Sequence, residues 1–188
     1  FGGDAAAHFF AQHGITDADS LEKVRKRTGY YQTMVPSVPA RFHRLMDGMR
    51  VMIGGHAWQC IAGYGHAPEH MALHCESQGL LISGDMVLPR ISTNVMVVEV
   101  EPESDPLTLF LASIKRFEPL PAGTLVLPSH GLPFVGLHQR VAQLIEHHDE
   151  RFESVLKTCA LQPTSAAELL PVLFHRSLDF HQTTFAIG

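Results

Sequence analysis

Hydrophobic positions recur with different periods along this chain, and each change of period marks an element. DAAAHFFAQH (residues 4–13) and DSLEKVRKRTG (residues 19–29) read as helices stopped by Gly14 and Gly29. VPSVP then reads as a linker. RLMDGMRVMIGGHAWQCIAG predicts two or three short strands, with turns at Asp47-Gly48 and Gly54-Gly55. MALHC alternates, so Met71, Leu73 and Cys75 face one side and Ala72, His74 and Glu76 the other. GLLIS is a continuous apolar run, the pattern of a strand buried on both faces.

Farther on, SDPLTLFLASIKRFEPLP predicts a helix. Asp105 is its cap, Pro106 suits its first position, and Leu107, Phe110, Leu111, Ile114 and Phe117 form its apolar stripe. GTLVLPSHG reads as a second buried strand, ending at His130. A long helix follows from Leu137 to about Ala160, with the stripe Leu137, Val141, Leu144, Ile145, His148, Phe152, Val155 and Leu156. Gln162-Pro163 breaks it. SAAELLPVLF starts another, with Ser165 and Glu168 placed as a capping box and Pro171 set to kink or restart it. The order of strands, helix, strand and helix requires one core shared by helices and sheet, an α/β or α+β layered fold. The boundary falls near Pro163, dividing residues 1–162 from an extension over 163–188.

Composition adds limits. The chain has 188 residues, 45% hydrophobic and 18% charged, an ordinary globular balance. A net charge of −5 gives no global pull toward nucleic acid, and Lys23, Arg25, Lys26 and Arg27 read as a solvated helix face. Cys60, Cys75 and Cys159 are widely spaced, with no CxxC, which predicts reduced thiols in a cytoplasmic protein. No apolar run reaches the ~20 residues of a membrane span, and no signal-peptide pattern opens the chain. The chain begins at Phe1 without a methionine and stops in mid-pattern, so it reads as part of a longer protein.

Against that background, three residues of metal-ligating type fall at equivalent places. His66 follows the strand HAWQCIAGYG, Asp85 ends GLLISGD, and His130 ends TLVLPSHG. Strand ends on one rim of a sheet are where α/β folds collect functional side chains, and imidazole and carboxylate suit zinc and similar ions. Any one of the three alone is an ordinary structural residue. Most of the 13 histidines are ordinary too, among them His8, His13, His147, His148, His175 and His181.

GHAPEHMAL, LLISGD and LVLPSHG resemble, in order, the third-histidine, bridging-aspartate and last-histidine motifs of the metallo-β-lactamase superfamily. The H-x-x-x-H-M-A-L form is similar to the branch whose members carry a C-terminal winged helix, among them a β-lactamase-like endoribonuclease and thioesterase-type hydrolases. The resemblance covers roughly residues 47–188. It implies an αββα sandwich, partial here, followed by the start of a helical or winged-helix extension. It implies two divalent metal ions, zinc, with iron or manganese as alternatives. His66 would be a ligand of the first, His130 of the second, and Asp85 would bridge both and orient or deprotonate water. His70 matches no ligand position and is expected to support the His66 loop from behind. Arg90, on the loop MVLPRIST after Asp85, is a candidate contact for an anionic substrate group, with a plain surface arginine as the other reading.

One departure is large. The superfamily signature H-x-H-x-D-H is absent, so the chain supplies half a site, expected to bind metal weakly without the segment that carries the rest. The sheet is then expected to expose an apolar face where the first strands would lie, and Phe1 to lie near the rim. The implied activity is hydrolysis of a small ester or thioester. The alternatives are cleavage of single-stranded RNA, or a metal-free binding module of the same fold. A homo-oligomer remains open, and no membrane partner is expected.

Overall fold

The computed structural model describes residues 2–188, with Tyr30 described by its backbone alone. Contacts divide the chain into two compact units. One takes His43–Val95 and Asp105–His148; the other takes the chain through Phe42, Met96–Ser104 and Asp149–Gly188.

The first unit holds a five-stranded sheet in the order β1-β2-β3-β4-β5. Strands β1 (Arg50–Ile53), β2 (His56–Gly63), β3 (His70–Cys75) and β4 (Leu80–Gly84) form an antiparallel meander, and β5 (Leu125–Pro128) pairs with β4 in parallel. A parallel neighbour needs a crossover, and α4 (Pro106–Lys115) supplies it between β4 and β5. Asp105 caps α4 by accepting from the Thr108 N–H at 3.0 Å.

Register assigns the faces. Ile61, Ala72, Leu81 and Val126 lie on one face and join Phe110, Ile114 and Phe117 of the α4 segment with Leu137, Val141 and Leu144 in a single buried cluster. The opposite face is also apolar, carrying Trp58, Cys60, Met71, Leu73, Leu80 and Ile82. Trp58 and Cys60 are buried there, whereas Ile82 is 38% exposed. This corrects the expectation that GLLIS is buried on both faces. A continuous apolar run shows that both faces tolerate apolar residues, not that both are covered. The same holds for α5 (Leu137–Cys159): Leu137, Val141 and Leu144 are buried, but Phe152 and Leu156 of its stripe are exposed.

The second unit is helical. It contains α1 (Gly3–Gln12), α2 (Ala18–Arg25), α3 (Tyr30–Met34), α6 (Ala166–Leu173) and α7 (Phe180–Ile187). Phe9, Phe10, Ile15, Val24 and Ile187 form its core, with Ala166, Ala167 and Leu170 against it. The Ser165–Glu168 capping box is formed, and α6 runs through Pro171 to stop two residues later rather than at it. Helix α7 has its own box, Asp179 with Gln182, a D-x-x-Q signal that sequence periodicity left unassigned. Residues 164–188 contain no strand. No helix among the described residues is long and apolar enough to cross a membrane.

His74 lies on the core-facing side of β3, between Gln59 and Leu81, and is 6% exposed. Burial holds its pKa below the ordinary 6.5, with Glu76 pulling weakly the other way. Below about pH 6.5 the unfolded chain therefore binds a proton that the fold disfavours, and stability falls as pH falls. The urea midpoint is expected to be lower at pH 5.5 than at pH 7.5. His74→Leu should flatten part of that slope; an unchanged slope would remove His74 as its cause. His70, shifted in the same direction, adds to it.

Candidate metal centre

The loop from β2 to β3 is pinned to α4 before it delivers His66. The Arg116 guanidinium donates to the Ala62 carbonyl at 2.6 Å and to Asp47 at 2.6 Å. That hydrogen bond and the one from the Ala62 N–H hold the Asp47 carboxyl below the usual carboxylate range. The Tyr64 N–H donates to the buried Ser113 hydroxyl at 2.9 Å. Gly65 then adopts φ +94° directly against Pro106 and Phe110, a position where any Cβ would overlap the helix. His66 follows, half-buried, with Nδ1 donating to the Asn94 carbonyl at 2.8 Å. A carbonyl only accepts, so this bond fixes the tautomer and leaves the Nε2 lone pair free.

Asp85 stands just beyond β4. Its Oδ2 lies 3.5 Å from His66 Nε2 and its Oδ1 lies 3.4 Å from His130 Nε2. The structure therefore brings His66, Asp85 and His130 together, one carboxylate oxygen toward each imidazole. His70 lies behind this row. Its Nε2 accepts the Asp85 backbone N–H at 3.2 Å, and its ring sits so close to Gly84 that a side chain there would collide. Burial first, then the neighbouring His66, lowers the His70 pKa, with Asp85 opposing. His70 is therefore neutral and acts as an acceptor that positions the Asp85 backbone. The Thr93 hydroxyl donates to the Asp85 carbonyl, closing the loop that begins there.

The donor set can be tested for fit. Two ligands at the ~2.0–2.2 Å bond lengths of tetrahedral zinc stand about 3.4 Å from each other. The His66–Asp85 and His130–Asp85 separations match that spacing. A lone-pair nitrogen facing a carboxylate oxygen is also unfavourable unless a cation or proton lies between them. The residues fit one ion in each gap, with Asp85 common to both. Among the described residues no three His, Cys, Asp or Glu side chains surround a single metal position.

Arg90 is exposed and lines a cavity of about 500 Å³ that His130 also lines. Leu132 and Phe134 share that cavity. Nothing in their sequence spacing marks them, because the loop after His130 has no period to read. Asn94 is equally silent, since it acts through its backbone. Phe1 lies outside the described residues.

A mixed sheet beside a crossover helix, with residues of metal-ligating type brought together just past its strands, defines an α/β protein with a candidate metal centre. The chain belongs to the metallo-β-lactamase superfamily: residues 6–130 match the family model of that description, and residues 152–188 match one described as metallo-β-lactamase-like, C-terminal domain. It is similar to a β-lactamase domain protein from Burkholderia ambifaria, at 55% identity and TM-score 0.93, over 98% of this chain and 53% of that one. A metallo-β-lactamase family protein from Thermus thermophilus matches at 30% identity and TM-score 0.74, over 98% of this chain and 56% of that one. A probable metallo-hydrolase of Bacillus subtilis is 27% identical over 69% of this chain and 41% of its own length. A β-lactamase-like protein 2 homologue of Caenorhabditis elegans is 29% identical over 62% of this chain and 36% of its own. The chain thus spans about half the length of these structures and less of the curated relatives.

Proposed function

We propose that the full-length protein is a metal-dependent hydrolase of esters or thioesters, with His66, Asp85 and His130 as this chain's share of a two-metal site. The observation that carries the reading is the Asp85 carboxylate, held between two imidazole nitrogens at 3.5 and 3.4 Å. Divalent ions, zinc or else iron or manganese, supply Lewis acidity when bound: they polarise an acyl carbonyl and acidify water. Asp85 would help hold those ions and would orient that water by accepting a hydrogen bond. His66 keeps its Nε2 aimed at the site because Asn94 holds the other ring nitrogen. His70 holds the Asp85 backbone in place. Arg90 offers a cation to an anionic substrate group. The setting proposed is the cytoplasm, where Cys60, Cys75 and Cys159, all unpaired, stay reduced. Residues 163–188 are proposed to begin a winged-helix-like extension of a lactamase-like domain, a reading supported by the C-terminal-domain match.

The test uses full-length protein, stripped with a chelator and reloaded with zinc, iron or manganese. It is assayed on ester, thioester and single-stranded RNA substrates. Ester or thioester turnover that disappears with chelation and returns with metal is the expected result. RNA cleavage without either would replace this reading with the nuclease one.

A further inference from the structure

Two loops frame the cavity beside His130, and both are fixed by contacts that do not depend on a ligand. One wall is Pro89, Arg90 and Ile91. Arg140 of α5 holds it, donating from Nε to the Leu88 carbonyl at 2.7 Å and from a terminal nitrogen to the Ile91 carbonyl at 3.0 Å. The other wall is Leu132, Pro133 and Phe134. Paired backbone hydrogen bonds between Val126 and Phe134, at 2.8 and 3.1 Å, tie it to β5. The walls close on each other at Gly131, whose φ of +88° and proximity to Pro89 leave no room for a side chain. The result is a groove of about 500 Å³, within the range of small-molecule sites.

Its lining is apolar except for Arg90 and His130, and the apolar side chains are open: Ile91 is 59% and Leu132 is 76% exposed. Large apolar side chains left uncovered along a preformed groove mark a place where an apolar group binds. His130 belongs both to this groove and to the row with Asp85. His130 therefore links the groove to Asp85.

We infer that this groove takes the hydrocarbon part of the substrate, so the substrate class is an ester or thioester of a medium-chain acyl group. The inference rests on the hydrolase reading above. The acyl carbonyl lies at the Asp85–His130 end, the chain lies against Ile91, Leu132 and Phe134, and Arg90 meets a negative charge near the groove. Each fully buried methylene contributes about fourfold in affinity, and an open groove recovers part of that.

Binding of octanoate and butyrate to chelator-treated full-length protein is measured by calorimetry and by amide chemical shifts. Octanoate is expected to bind about tenfold more tightly, with shifts concentrated in residues 89–91 and 131–134. Ile91→Ser and Leu132→Ser should each reduce the ratio to about threefold. Both side chains are more than half exposed, so the fold tolerates the changes. Leu161→Ser, at 87% exposure in the helical unit, should leave the ratio unchanged. Equal affinities, or shifts confined to other surfaces, overturn the groove assignment whatever the catalytic result. A parallel assay compares p-nitrophenyl butyrate with the octanoate ester on metal-loaded protein. Turnover without chain-length preference overturns the groove while keeping the hydrolase. Octanoate binding with no ester or thioester hydrolysis overturns the substrate assignment through the reading beneath it.

Discussion

Asp85→Asn is expected to lower metal-dependent hydrolysis by the full-length protein more than about 100-fold, since even partners behind the ligands cost 10–100-fold when lost. The substitution keeps the shape and removes the charge. It also puts an amide N–H₂ where a carboxylate oxygen now faces an imidazole at 3.4 or 3.5 Å. That group donates to the histidine lone pair and closes the gap an ion would fill. Metal content, measured on protein dialysed against a metal buffer, should therefore fall below that of wild type. The thermal midpoint should hold or rise, because an unfavourable lone-pair contact becomes a hydrogen bond. Activity within about threefold of wild type would exclude Asp85 from the chemistry. A collapsed midpoint would show the loss to be one of folding.

Gly65→Ala is the second large effect, and it acts on stability. The residue occupies φ +94°, where alanine is strained, and the added Cβ would overlap the Pro106 carbonyl and stand 2.7 Å from Phe110 Cβ. Backbone strain and overpacking together cost about 3 kcal/mol or more. For a chain of this size that is a fall of about 10 °C in Tm. Gly79→Ala separates the two causes: its φ of +61° is equally left-handed, but nothing lies within 4 Å of the added carbon. It should cost about 1 kcal/mol. Equal losses at the two sites would show that the contact with α4 is not what fixes the His66 loop.

Much of the architecture follows from local signals. The helix over residues 106–115 was legible because Asp105, Pro106 and the Leu107–Phe110–Ile114 spacing agree on start, direction and face. The turn at Asp47-Gly48 and the hairpin turn at Gly54-Gly55 were legible because glycine is needed there; Gly48, Gly54 and Gly55 all have positive φ. The two short helices the pattern missed, over 30–34 and 180–187, are stretches where apolar spacing is too brief to establish a period.

Exposure was harder to read, and the reason is general. The stripe of the long helix predicts which residues share a face, yet Leu144 is buried and Leu156 is 68% exposed on that same stripe. Amphipathicity is a property of one element, whereas burial requires a second. Ile82 on β4 makes the same point.

By itself, then, the sequence determined the order of the strands and longer helices, the strand ends that His66, Asp85 and His130 follow, and the residue types that suit a metal. Those depend on side-chain chemistry and short-range geometry, which neighbours in sequence control. The tertiary structure alone decided that Asp85 turns one oxygen to each histidine. It also decided that Asn94 fixes one imidazole, that His70 braces the Asp85 backbone, and that residues 89–91 meet 131–134 to form a groove. Each of these joins segments 15 or more residues apart, through backbone atoms or loops without a repeating pattern. Only the packing of β4, β5, α4 and α5 fixes such distances.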